Sequence, residues 1–335
     1  MSSVERDSNR IVIAGASSLL GAELKSLLEE SKFAGWEFRL LDEVAAAGTL
    51  TEAGGEPAVI LPVEEGSFER SRFVFFTGSG EFTRRNLAGV VRSGATVVDL
   101  SGGIAADAKT VAWFPKLDAL LGREFTKNAA AYAIPSAAGT EAAALALALS
   151  KIGLRRLALI LFQPVSETGR AGIEELETQT GQLLSFQGVG QPVFDTQVAF
   201  NMLDRFGPGS RQKLEAVRER VRAEALACLG RTAVIPSIQV VHAPVFYGTT
   251  FAACAELDSS ASAEKISDGC RDAGFALAVE NDAGTSNVSA AGEKNIQLAK
   301  PEVDPLHPGS WWFWGAADNI RLPAANAVKL AEMLS

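Results

Sequence analysis

The chain has 335 residues, 47% hydrophobic and 21% charged, enough for two domains with cores that need no disulfide or metal staple. A net charge of −9 argues against nucleic acid or an anionic membrane surface as a partner. The polar opening residues 1–9 are expected to fray and not to act as a signal peptide, and no run of ~18 apolar residues predicts a membrane span. Three scattered cysteines and two histidines exclude a zinc or His-rich metal site and point to a reducing cytoplasm.

Arg10–Gly15 reads as a buried first strand ending in glycine, and residues 17–30 place Leu20, Leu24, Leu27 and Leu28 on one helical face. Phe38–Leu41, Ala58–Leu61, Phe73–Phe76 and Thr96–Leu100 read as further strands, with a helix ending at Gly89–Val91. This alternation predicts an α/β chain whose first ~130 residues form a Rossmann-type doubly wound parallel sheet. The character changes near Tyr132. Glu141–Ser150 is an apolar helix, Leu157–Phe162 a strand and Gly172–Leu184 a helix. Ser210 is the expected N-cap of a long helix stopping at Gly230, with Cys228 on its apolar stripe. Thr232–Val241 and Val245–Leu257 read as strands, and a last helix follows Pro323. Strands and helices out of βαβ order predict an α+β second domain.

The turn Gly15-Ala16-Ser17-Ser18-Leu19-Leu20-Gly21 sits where backbone N–H groups and a helix N-terminus face a dinucleotide pyrophosphate. Its central glycine position holds Ser18, whose Cβ intrudes and whose hydroxyl can bond a phosphate. Asp42, after the second strand, suits a ribose hydroxyl and hence NAD, and no arginine stands there for a 2′-phosphate. The bland reading of the turn is a Rossmann corner holding helix to sheet.

Several segments taken together resemble the aspartate-semialdehyde dehydrogenase family. The glycine turn is similar to its G-A-T-G-x-V-G, Phe76-Thr77-Gly78-Ser79-Gly80 to F-S-A-G-G-S, and Val97-Val98-Asp99-Leu100-Ser101-Gly102 to V-V-D-x-S-S. Phe162–Gly169 resembles Y-Q-A-V-S-G-A-G, His242–Gly248 resembles R-V-P-V-F-V-G, and Asp318-Asn319-Ile320-Arg321 resembles D-N-L-R-K-G. Ala199–Leu203 and Ala243–Gly248 fit the Usg branch, whose members also lack the nucleophile. The resemblance implies a dinucleotide-binding domain of 1–131 with 318–335 and a dimerisation/substrate domain of 132–317. It also implies a homodimer. Cofactor contacts fall on Gly15, Ser17, Ser18, Leu19, Leu20, Gly21, Asp42, Gly78, Ser101, Gly102 and Asn319, with NAD or NADP as ligand.

The family's reaction needs a thiolate to attack the aldehyde and a histidine to move protons. In the segment Ile134-Pro135-Ser136-Ala137-Ala138-Gly139-Thr140 the cysteine position falls on Ala137, and the histidine position after Gly248 falls on Thr249. The substrate arginine falls on His242 and the phosphate arginine on Ala105, while the orienting glutamine survives as Gln163. His242 and Gln163 are then the candidate substrate contacts. Ser136 has no base near it in sequence. Cys254, on the apolar run Phe251–Ala255, reads as a core thiol before a substitute nucleophile. Trp311-Trp312-Phe313-Trp314 reads as interdomain core before a ligand pocket.

Three readings stay open: a Usg-like protein without dehydrogenase activity that serves a small-molecule or protein partner, an NAD(P)-dependent oxidoreductase on another aldehyde or oxo substrate with no covalent step, and a working aspartate-semialdehyde dehydrogenase of amino-acid biosynthesis.

Overall fold

The computed structural model describes residues 9–53, 55–104, 109–230, 233–258, 261–278 and 284–335. The polar start, Ala105 and Thr232 lie outside them. Contacts divide the chain into two compact units, 1–115 with 124–135 and 323–335, and 116–123 with 136–322. The family resemblance implies boundaries at 131/132 and 317/318.

In the first unit β1 (Arg10–Ala14), α1 (Leu19–Glu29) and β2 (Glu37–Asp42) make the opening βαβ. The expected strand at Ala58–Leu61 divides. Its first part is β4 (Glu56–Val59), which pairs antiparallel with β3 (Leu50–Ala53) as a separate ribbon. Only β5 (Leu61–Pro62) reaches the main sheet, beside β2. Leu50, Val59 and Leu61 stay exposed, so this segment lacks the burial that makes a central strand. Then come β6 (Phe73–Phe76), α2 (Gly80–Ser93), β7 (Thr96–Asp99) and β8 (Thr110–Ala112). A short helix α3 (Leu117–Leu120) goes with the second unit, and β9 (Ala131–Ala133) returns to the first.

The sheet order is β5-β2-β1-β6-β7-β9-β8, with every pair parallel. Alternate side chains supply two cores. Ile11, Ile13, Phe73 and Phe75 pack with Leu24, Leu27 and Leu28 of α1 on one face, and Val12, Val74, Phe76 and Val97 pack with Phe82 and Val90 of α2 on the other. Burial on both faces explains why these strands read as unbroken apolar runs. The order reverses between β1 and β6, which puts the Gly15 and Gly78 turns side by side at the carboxyl ends of the strands.

The second unit begins its main body with α4 (Ala137–Ser150), buried at every position from Gly139 to Leu149. It continues with β10 (Arg156–Gln163), α5 (Arg170–Leu184), α6 (Leu214–Leu229), β11 (Ser237–His242) and β12 (Thr249–Glu256). Next come α7 (Ala263–Asp272), β13 (Ala276–Leu277), β14 (Gln297–Leu298), β15 (Glu302–Val303) and β16 (Ser310–Ala317). The closing α8 (Arg321–Leu334) sends Ala324, Ala327, Val328, Leu330 and Ala331 back into the first unit's core, on the α1 face. It starts two residues before Pro323 because Asp318 Oδ1 accepts from the Ile320 and Arg321 amides at 2.9 and 2.8 Å, so the proline sits in the first turn where no N–H is needed.

Two boundaries differ from expectation for visible reasons. Ser210 does not cap α6, because its hydroxyl donates to the carbonyls of Val193 and Gln212. The strand expected from Val245 begins only at Thr249, since the carbonyls of Val245 and Phe246 are taken by the amides of Val165 and Ser166 and Gly248 turns the chain at φ +84°.

The sheet of this unit runs β11-β10-β12-β16-β14-β13, with β15 on β16. It is mixed: β10 is parallel to β11 and antiparallel to β12, which is antiparallel to β16. Leu159, Ala253 and Phe313 share one row and are buried. The next row on the other face is Ile160, Ala252 and Trp314, and beside it Ala158, Cys254 and Trp312. Ile160 is 45% exposed, Trp312 49% and Trp314 39%. The aromatic run therefore splits by strand alternation: Trp311 and Phe313 enter the core, and Trp312 and Trp314 stand on an open apolar face with Phe162.

Candidate functional site

Glycine builds the turn after β1. Gly15 has φ +102°, and a Cβ there would lie 2.1 Å from the Gly78 nitrogen and 2.5 Å from its Cα, so only glycine lets the two turns close on each other. Ser18 caps α1: its Oγ accepts from the Gly21 amide at 2.9 Å and lies 2.8 and 2.9 Å from the carbonyls of Gly15 and Thr77. That hydroxyl is spent inside the turn. Asp42 Oδ2 accepts from the Ser17 amide at 2.8 Å and its Oδ1 from the Glu43 amide at 2.8 Å, so the acid expected at a ribose already holds one amide of the loop. The amides of Leu19 and Leu20, in the first turn of α1, have no acceptor among the described residues. Ser101 is engaged too, donating to Asp99 Oδ1 at 2.6 Å beside Gly102 at φ +70°. The sequence puts no arginine next to Asp42, but the fold brings Arg85 of α2 onto Glu43, Nη2 to Oε1 2.8 Å.

Asn319, expected among these cofactor residues, is used inside the second unit. Its Nδ2 donates to Glu167 Oε1 at 3.1 Å and to Ser166 Oγ at 3.1 Å, and its Oδ1 accepts from the Gly248 amide at 2.9 Å.

The second unit carries a cavity of about 190 Å³ between β10, β12 and α6 at the start of α4. Its polar lining is Ser136, Gln163, Glu167, Gln212, Arg220 and Thr249, with Ala138, Leu161, Val217 and Val240 among the apolar walls. Three of the sequence candidates thus meet: Gln163 and Thr249 line the cavity, and fully buried Ala137 begins the helix at its edge. Gln163 Nε2 donates to Gln212 Oε1 at 3.2 Å, which also accepts from Thr168 Oγ1 at 2.6 Å. Glu167, inside the Phe162–Gly169 segment, is a titratable group on this cavity that motif spacing alone does not single out. Burial raises its carboxyl above the usual range, opposed by the Arg220 charge and the Asn319 hydrogen bond, with Glu224 adding a smaller upward push. One helical turn past Ala137, Glu141 is buried with no hydrogen-bond partner on either oxygen. Its carboxyl is raised well above the usual range, first by burial and then by Glu167.

His242 is not part of the cavity lining. Its ring lies near Phe194 and Phe206, with centroids 6.2 and 5.6 Å away, and Nε2 is 3.1 Å from the Val198 carbonyl. Burial lowers its pKa, so the ring is neutral, a core side chain and no clamp for a carboxylate. His307 is exposed and pairs with Asp304. The three cysteines are unpaired, and burial raises each of them, Cys270 to about 12. Cys254 differs from its expected core position: it is only partly buried, on the open sheet face, where Asp304 and Glu256 add to the rise. Among the described residues no cluster of three or more His, Cys, Asp or Glu is arranged to hold a metal, and no helix is long and apolar enough to cross a membrane.

Residues 145–322 match the family profile described as semialdehyde dehydrogenase, dimerisation domain. The chain is 27% identical over 331 residues to the USG-1 protein homolog of Pseudomonas aeruginosa, and 26% identical over 330 residues to aspartate-semialdehyde dehydrogenase 2 of Vibrio cholerae, with 97% of each chain covered in both cases. A solved structure described as a probable aspartate-semialdehyde dehydrogenase from Pseudomonas aeruginosa superposes with a TM-score of 0.87 at 26% identity, covering 98% of both chains. The matched profile, the relatives and the superposed fold show that the chain belongs to the aspartate-semialdehyde dehydrogenase family, with the USG-1 homologues.

Proposed function

We propose that this protein binds a nicotinamide dinucleotide in its first unit and does not run the family's thiol-dependent dehydrogenation. The observation that carries this reading is Ala137 at the first position of α4, where the family resemblance calls for cysteine. A methyl group forms no covalent intermediate, and Thr249, where the histidine is called for, does not titrate near neutral pH. None of the three thiols offers itself instead, since each is held above its ordinary pKa and none lines the cavity.

The first unit fits a dinucleotide in part. Leu19 and Leu20 amides remain to bind a phosphate, and the Gly15–Gly78 contact keeps the crevice narrow. Ser18 and the Ser17 amide are already engaged, which weakens the grip. When bound, the nicotinamide supplies hydride transfer; the chain's own part is to hold the phosphates at α1 and the ribose near the end of β2, where Asp42 and Glu43 favour NAD over NADP. Calorimetric titration checks this. Saturable NAD binding, weaker for NADP, is expected; no heat from either at millimolar concentration overturns it.

A second reading, an oxidoreductase with no covalent step, is favoured by Glu167, a part-buried carboxyl on the cavity that keeps its proton to higher pH than an ordinary glutamate and so suits general acid–base work.

The protein is also proposed to be a homodimer whose copies meet across the open sheet face. Strands β10, β12 and β16 all lie within the matched dimerisation domain, and Ile160, Trp312 and Trp314 are apolar and uncovered. The unpaired cysteines fit a cytoplasmic setting.

A further inference from the structure

Ser136 stands beside the missing thiol, and the fold gives it what the sequence does not. Its Oγ donates to Glu224 Oε2 at 2.5 Å, and its backbone N–H reaches the same oxygen at 3.1 Å. Arg220, one turn earlier on α6, fixes the other carboxylate oxygen, Nε to Oε1 2.7 Å. The approach depends on Gly139, where a Cβ would stand 2.3 Å from Glu224 Oε2 and 2.9 Å from its Cβ. Ser136 also caps α4 by accepting from the Gly139 amide at 3.1 Å. The next two amides, of Ala137 and Ala138, have no acceptor among the described residues, and Ala137 is wholly buried. Amides in the first turn of a helix have no intrahelical acceptor, so these two are free to bond a ligand oxygen. Ser136, Ala138 and Arg220 all face the same cavity of about 190 Å³, whose other walls include Leu161, Val217 and Val240.

We propose that Ser136 is a nucleophile for acyl transfer, with Glu224 as its general base, Arg220 as the positioning residue for that carboxylate, and the Ala137 and Ala138 amides as the oxyanion site for a short-chain carboxylic ester. In the first step the Ser136 oxygen bonds to the acyl carbon while its proton passes to Glu224. The carbonyl oxygen takes the negative charge beneath the two amides. The bond to the alcohol breaks, and the alkoxide leaves with the proton held by Glu224. Water then adds to the acyl-serine, gives a proton to Glu224, and releases the acid while the serine oxygen recovers that proton. No oxidant or cofactor enters, so the activity is independent of dinucleotide binding. The small volume and apolar walls select an acyl group of a few carbons.

The test uses the full chain, a fluorophosphonate probe and p-nitrophenyl butyrate. The expected result is one label per chain on the peptide containing Ser136, and a burst of p-nitrophenolate approaching one equivalent. Ser136→Asn keeps a good helix cap and removes the nucleophile, so the label and burst are lost while the thermal melt is retained. Glu224→Gln slows acylation by about 10²–10⁴-fold. A label on another residue, equal hydrolysis by a folded Ser136→Asn variant, or no label on the folded wild type overturns the proposal. If NAD still binds in that last case, the function proposed above stands and this inference alone falls.

Discussion

Glu141→Leu is expected to raise stability, and to raise it more at pH 8 than at pH 5. Glu141 is wholly buried on a helix that is all Ala and Leu from Ala142 to Leu149, and neither oxygen has a hydrogen-bond partner. Its carboxyl is raised far above the ordinary 4.5 by burial first and the Glu167 charge second, and Glu167 is itself raised. In the unfolded chain the same group ionises near 4.5. Between the two values the folded state holds a proton the unfolded state has lost. Wild-type stability from this group is therefore fully present below pH 4.5 and falls as pH rises towards the folded value. Leucine has similar bulk and no proton to hold. A gain of about 1–3 kcal/mol near pH 8 follows from removing an unpaired buried polar group. Urea unfolding at pH 5 and pH 8 reads it, as a higher midpoint and a flatter pH dependence. A loss of stability at both pH values would mean that the carboxylate has a partner and is not a burden on the core.

Ile160→Glu is expected to convert the proposed dimer to a monomer with little loss of fold. Ile160 lies in the middle of β10, on the open face and 45% exposed, in one row with Ala252 and Trp314. Charge there costs the separate chain little, because its side chain meets water. Covered by a second copy, an unpaired buried carboxylate costs about 3–5 kcal/mol, a fall in association of roughly 10²–10⁴-fold. Light scattering after size exclusion gives the mass, and circular dichroism confirms the fold. A dimer of unchanged affinity would put the interface elsewhere, and the exposed Trp312 and Trp314 would then need another occupant.

The parts of the fold that the sequence made legible are those governed by local pattern. Arg10–Ala14 and Phe73–Phe76 are buried on both faces, so they appear as unbroken apolar runs, and Gly15 marks a turn that only glycine allows. Motif spacing points to Gln163, Thr249 and Ala137; the first two line one cavity, and Ala137 lies between its lining residues Ser136 and Ala138. What stayed hidden depends on distant partners. The carboxylate beside Ser136 comes from Glu224, 88 residues later, and its one local sign is the i, i+4 spacing of Arg220 and Glu224 on α6. His242 reads as a substrate contact until Phe194, Phe206 and the Val198 carbonyl enclose it. Asn319 sits in a motif that suggests cofactor, yet its amide binds Ser166, Glu167 and Gly248. Trp311–Trp314 looks like one cluster until the two-residue period of β16 sends alternate rings to opposite faces.

Under the proposed function, alanine at position 137 leaves this protein without the family's thiol chemistry. The most direct measurement is steady-state reduction of NAD or NADP by aspartate semialdehyde in the presence of phosphate, run on the wild type beside the Ala137→Cys/Thr249→His variant. No nicotinamide reduction above background is predicted for the wild type. Turnover by the wild type at the rate of a thiol-bearing relative would overturn the proposed function and require a nucleophile elsewhere in the chain.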